Sequence, residues 1–247
     1  MLPLLPAFAS VVLLTTALIY AARWGPALGL PLAVSDPGDR ILLVNYLFAW
    51  IGFLASAAIA VREWESVIAR DLFFFDSAST RLLATVTVGY CVGDVIAATT
   101  WSSSPMKVSS EYIVFHVIVA MAFVSYLYLG SCGICVVISL LGELAVMSIH
   151  HCRIAYDNGW TFKRPWGYAA LWLVRTIAVT VAKGVAYSWL AFRAVREPRL
   201  LEGTGSAVQL GVIVSVCGYG WLLTVKSWQW LIKAVQWAQS TDDRRQR

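Results

Sequence analysis

Long apolar runs alternate with short polar connections along this chain, and the runs lack the regular polar interruptions of a half-buried helix. Such runs occur at roughly 4–22, 41–61, 82–101, 112–129, 132–149, 166–190 and 207–225, each about the length that crosses a bilayer as a helix. "GSCG" between the fourth and fifth predicts a tight turn, and the Gly- and Pro-rich "GPALGLPLAVSDPGD" ends one helix and delays the next. No Lys or Arg precedes Arg23, so "LLPAFASVVLLTTALIYAA" reads as a retained span, not a cleaved signal. The pattern predicts an all-α integral membrane bundle of about seven transmembrane helices, six of them around a central polar or lipid cavity. Residues 1–40 would supply the first helix and its loop, 41–235 the membrane domain, and 236–247 a basic, disordered cytosolic tail.

Composition agrees with that reading. Hydrophobic residues make up 59% of the 247 and charged ones 13%, with mean hydropathy +0.70, more apolar side chain than a soluble domain of this size can hide. The net charge of +5 does not point to nucleic acid, because the basic residues are dispersed among short connections. Arg23, Arg40, Lys107, Arg153, Lys163, Arg164, Lys226, Lys233 and the terminal arginines fall on one side of the predicted membrane. Arg62, Arg70, Arg81, Arg193, Arg196 and Arg199 fall on the other. The excess predicts a cytosolic C-terminus and a lumenal N-terminus. Trp101, Trp160 and Trp166 lie near span ends, as interfacial anchors do.

Five residues interrupt the apolar runs with ionisable groups: Asp94, His116, Glu143, Arg175 and Lys183. A central Asp, Lys or Arg costs roughly 2.5–3.5 kcal/mol on insertion scales, so such groups face inward and find partners. At a rise of about 1.5 Å per residue, Asp94, His116, Glu143 and Arg175 form one layer with Asn45 in the cytosolic half. Arg175 is expected to pair with Glu143 or Asp94, while Lys183, nearer the opposite face, is expected to snorkel there. His116 has two readings, a hydrogen-bonded interface histidine or a general base oriented by Asp94. Gly89 and Gly93 in "GYCVG" predict a small-residue face for a neighbouring helix. The adjacent His150 and His151 point in different directions on a helix, and "SCGIC" has no second half-site, so neither predicts a metal. Cys132 and Cys135 read as small residues at a helix end.

These segments resemble the TLC-domain family, which includes translocation-associated membrane proteins, ceramide synthases and the neuronal ceroid lipofuscinosis type 8 protein. The resemblance rests on "VGYCVGDVI", "YIVFHVIVA", "LLGELAVMS" and "GYGWLLTVKSW", over about residues 41–235. Tyr90, Asp94, His116, Glu143 and Arg175 match positions that recur in the family. The synthases' His-His pair is reduced to one, with Phe115 at the other position, and "GELAVMS" resembles the non-synthase form. The resemblance implies membrane lipid homeostasis in the endoplasmic reticulum, through binding, sensing or transfer of lipids by Asn45, Tyr90, Asp94, His116, Glu143 and Arg175. Its alternatives are a ceramide synthase-type acyltransferase, with acyl-CoA as substrate and His116 and Asp94 catalytic, and a cargo receptor or translocation factor. No cofactor is implied, and the partners are membrane lipids and a second copy of the chain.

Overall fold

The structure is a computed structural model that describes residues 5–24, 37–63, 65, 72–100, 110–197, 200 and 206–246. These residues are all-α. The helices are α1 (Leu5–Trp24), α2 (Pro37–Arg62), α3 (Ala78–Thr100), α4 (Ser110–Leu129), α5 (Gly133–Leu141), α6 (Glu143–Asp157), the short α7 (Trp160–Lys163), α8 (Pro165–Val179), α9 (Ala186–Val195) and α10 (Ser206–Gln246). A π-helical turn, Thr180–Val185, joins α8 to α9 without a break, giving eleven helical elements among the described residues. Trp101, Lys107, Arg70 and Arg199 lie outside them, as does the side chain of His150.

Among the described residues the expected seven spans around a cavity are not found. Among the described residues three helices are long and apolar enough to cross a membrane: Val44–Arg62, Pro165–Val195 and Ala207–Asp242. Shorter apolar stretches among the described residues are Phe8–Leu18, Ile113–Leu129 and Gly133–Ala145 in α1, α4 and α5–α6. Helix α3 is long enough, but its threonines, Arg81 and Asp94 dilute its apolar content. The single run read at 132–149 is two helices meeting at Gly142. At the other end of the chain, α10 continues as helix through the segment expected to be a disordered tail.

The three long helices turn apolar side chains outward. Leu47, Ile51, Leu54 and Val61 are exposed on α2, Val174, Ile177, Val181 and Val185 on α8–α9, and Val214, Leu222 and Val225 on α10. A helix in water does the reverse. The chain is thus membrane-associated through these helices.

Inside, α1 packs on α3, α3 on α4, α2 on α5 and α6, and α10 on α8 and α9. The predicted small-residue face is used. A Cβ at Gly89 would stand 3.0 Å from Val11 and one at Gly93 3.0 Å from Thr15, so these glycines admit α1. A second close approach joins the α4–α5 turn to the loop before α3, where a Cβ at Gly133 would meet the Phe75 carbonyl at 2.5 Å. Asp76 closes the same corner. It accepts hydrogen bonds from Arg81 Nε at 2.8 Å and from the Tyr126 hydroxyl at 2.7 Å.

Gly133→Ala is therefore expected to lower the Tm in detergent by about 4 °C or more, the effect of a 1–3 kcal/mol overpacking cost in a chain of this size. Gly211→Ala, where a Cβ meets nothing within 4 Å, is expected to leave the Tm unchanged or raise it. A thermal unfolding series on the two variants checks both.

Asp76 makes the corner acid-sensitive. Burial alone would raise its carboxyl, but hydrogen bonds from Arg81 and Tyr126 and the Arg81 charge together hold it below its ordinary 3.8. A depressed carboxylate stabilises the fold above its unfolded value and loses that contribution as pH falls through its folded value. Asp76→Asn is expected to flatten the part of the stability profile below about pH 4, as pH-dependent unfolding would read.

Candidate functional site

Tyr90 and Asp94 stand one turn apart on α3 and so share a face. That face meets Asn45 from α2 and His116 from α4. The Tyr90 hydroxyl donates to Asn45 Oδ1 at 2.8 Å, and its ring lies 3.7 Å from that of Phe48 in a parallel stack. His116 Nε2 is 3.2 Å from Asp94 Oδ2, with the Tyr90 ring centroid 6.1 Å from the imidazole. Beside His116, Phe115 stacks on Tyr219 of α10 at 4.2 Å. His116 is 6% exposed and Asp94 2%. An imidazole and a carboxylate at this distance, shut from water, can join through one hydrogen bond.

A second polar cluster surrounds Lys183. The side chain does not snorkel to the far face as expected. It is 2% exposed, and its Nζ donates to Glu143 Oε1 and to the Ser139 carbonyl, both at 2.9 Å. Tyr187, one turn on, places its hydroxyl 3.2 Å from Nζ and 3.1 Å from Ser139 Oγ. The π-helical turn carries Lys183, and the extra residue of such a turn re-aims a side chain that a regular helix would direct elsewhere. Gly142 completes the pocket, since a Cβ there would lie 2.7 Å from Lys183 Cε.

Arg175 meets neither expected partner. Its Nη1 donates to Ser227 Oγ of α10 at 2.8 Å, and its guanidinium lies 4.9 Å from the Trp172 ring centroid. Glu143 is engaged by Lys183 and Asp94 by His116. The six candidate residues thus separate: Asn45, Tyr90, Asp94 and His116 come together, Glu143 joins Lys183, and Arg175 stands apart against α10. Sequence reasoning missed Ser139, Tyr187 and Ser227. The signal available for Tyr187 was its position one turn from a lysine inside an apolar run. Among the described residues no three His, Cys, Asp or Glu side chains gather as a metal site.

No protein family, curated protein or solved structure matches this chain. The resemblance to the TLC-domain family is overturned by that result and by the three membrane-length helices. With it fall the assignment to lipid homeostasis, the sphingolipid and ceramide chemistry, and the acyltransferase and cargo-receptor alternatives. The segments that carried the resemblance have local physical reasons instead. Gly89 and Gly93 admit α1, Asp94 meets His116, and Glu143 neutralises Lys183.

Breaking the Lys183 cluster on one side strands a charge. Glu143→Leu alone is expected to destabilise by about 3–5 kcal/mol, and Glu143→Leu with Lys183→Met by clearly less. A double-mutant cycle on unfolding in micelles gives the coupling. Additive losses would contradict the pairing.

Proposed function

We propose that this membrane-associated protein handles protons, with His116 and Asp94 as the pair that takes up and releases them. The observation that carries the reading is the 3.2 Å contact between imidazole and carboxylate inside an otherwise apolar helix contact. Histidine is the side chain whose ordinary range lies nearest neutrality, so a proton on Nε2 can pass to Asp94 and return without a large driving force. Lys183, bonded to Glu143, forms a separate polar cluster. Tyr90, tied to Asn45, fixes the wall beside the imidazole. A buried histidine in contact with a buried carboxylate is a part from which proton relays are built.

The finer placement, with the C-terminus in the cytosol and the N-terminus on the opposite side, is proposed from the distribution of Lys and Arg.

The test is proton movement into liposomes that hold the purified chain and a trapped pH-sensitive dye, driven by a potassium diffusion potential. Wild type is expected to acidify the lumen at least tenfold faster than empty liposomes, and His116→Gln and Asp94→Asn to remove that excess. Flux equal to empty liposomes in the wild type would overturn the reading and leave the pair as a helix clamp.

A further inference from the structure

Most of the chain's net charge gathers at one end of the helices. Residues 150–166 and 233–247 hold seven Lys or Arg and three Asp, an excess of four in a chain whose net charge is +5. The segments 62–81, linking α2 to α3, and 193–202, at the end of α9 and after it, hold six basic and six acidic residues in all and so balance. The basic segments pack together. The last turns of α6, the short α7, the start of α8 and the late part of α10 meet around Cys152, Tyr168, Trp172, Leu231 and Ala234. Trp166 Nε1 donates to Asp242 Oδ2 at 2.5 Å across the same contact.

Three cations at this end have no carboxylate beside them. Arg153 is paired, 3.7 Å from Asp157, but Lys163, Arg164 and Lys233 are exposed and none of them meets an acid among the described residues. Arg164 instead lies 5.5 Å from the Trp160 ring centroid and Lys233 4.8 Å from that of Trp230, contacts that hold each charge at the level of an indole. Tyr156, Phe162, Trp166 and Trp237 expose their rings nearby. The length of α10 places this end at a membrane boundary. Its 41 residues rise about 60 Å against a hydrocarbon core of roughly 30 Å, more than an ordinary tilt absorbs. Trp221, Val225, Trp228 and Ile232 continue an outward apolar line along it. Beside that line Gln229, Lys233 and Gln236 open an exposed polar one as the helix reaches the basic end.

Clustered bare rings are unfavourable in water, and unpaired cations are unfavourable in hydrocarbon. The headgroup layer takes both, because indole and phenol rings settle at that depth and Lys and Arg reach anionic lipid groups there. A dissolved polyanion would meet the cations and leave the rings uncovered. We propose that this end of the protein docks on an anionic phospholipid surface, with Lys163, Arg164 and Lys233 on the lipid headgroups and Phe162, Trp166 and Trp237 embedded beside them. The docking orients the chain in its bilayer and converts no lipid. It is independent of the His116–Asp94 pair and stands whether or not that pair moves protons.

The experiment places the full chain in phosphatidylcholine liposomes and exchanges about one lipid in ten for brominated phosphatidylglycerol or brominated phosphatidylcholine, with tryptophan quenching read as salt is raised. Each Lys or Arg near an anionic surface adds roughly fivefold in affinity. Wild type is therefore expected to prefer phosphatidylglycerol at least about tenfold at low salt and to lose most of that preference at about 0.5 M salt. Combining Lys163→Gln, Arg164→Gln and Lys233→Gln is expected to bring the preference below about threefold. Arg193→Gln with Arg196→Gln is expected to leave it unchanged, as is inorganic phosphate at matched ionic strength. All five substituted side chains are exposed, and the wild-type comparison of the two lipids needs no variant to fold. Equal quenching by both lipids in wild type would overturn the proposal. So would a preference that survives the triple variant, one lost in the Arg193 and Arg196 variant, or one abolished by inorganic phosphate.

Discussion

A lysine ammonium buried among apolar helices must be neutralised and hydrogen-bonded, and the centre of this fold is arranged around that requirement at Lys183. The isolated charge would cost several kcal/mol to bury, so three separate elements converge on it. The start of α6 brings Glu143, the end of α5 brings the Ser139 carbonyl, and the next turn of its own helix brings Tyr187. The π turn supplies the direction, and Gly142 supplies the space. Tyr187 in turn needs Gly220, where a Cβ would stand 2.1 Å from its ring, so α10 is drawn close to the same point. One charge thus fixes how α5, α6, the α8–α9 helix and α10 meet.

Elsewhere in the described residues, buried polar groups sit within an apolar core while the exterior of the long helices is apolar as well. Thr80, Thr85, Thr87, Asn45, Ser56, Thr176 and Ser227 are buried alongside the charged groups, while leucines, valines and tryptophans of the long helices face outward. In water that distribution would leave an unstable surface. Against hydrocarbon an apolar exterior is the favourable one, and inside it the helices hold together through hydrogen bonds and the close packing of apolar side chains such as Phe73, Phe123, Val136 and Leu190. Several of the threonines and serines turn back on their own helix, as Thr87 does to the Leu83 carbonyl at 2.9 Å, and so add no unsatisfied donor to the interior.

How much of this was legible depends on which property sequence carries. Apolar runs and embedded charges are local, so the helices of the second, third, fourth, sixth and seventh runs lie where the pattern placed them, and Gly89 and Gly93 read correctly as a close-approach face. Whether a run is long enough to span is a threshold question. Among the described residues the apolar stretch of α4 covers Ile113–Leu129, and the fifth run is broken by Gly142, a residue whose role depends on Lys183 lying against it. Partner choice was the least legible property. Arg175 and Lys183 share one continuous helix, and simple depth favoured Arg175 as the partner of Glu143. The π turn reversed that by rotating Lys183 inward, and a π turn has no strong sequence signature. The TLC resemblance failed for a related reason. Short motifs with a glycine, a tyrosine and an acid recur wherever a helix must admit a neighbour and hold one polar group, so they report packing before they report ancestry.

The two buried pairs are built alike yet placed differently. Lys183 and Glu143 meet at 2.9 Å, and the ammonium also donates to the Ser139 carbonyl, so the cluster ties α5, α6 and the α8–α9 helix together. His116 and Asp94 meet at 3.2 Å, both shut from water, on the face that also carries Tyr90 and Asn45. The fold places the Lys183–Glu143 pair where four elements are held together and the His116–Asp94 pair where α3 meets α4, beside Asn45 of α2 and the stack of Phe115 on Tyr219 of α10.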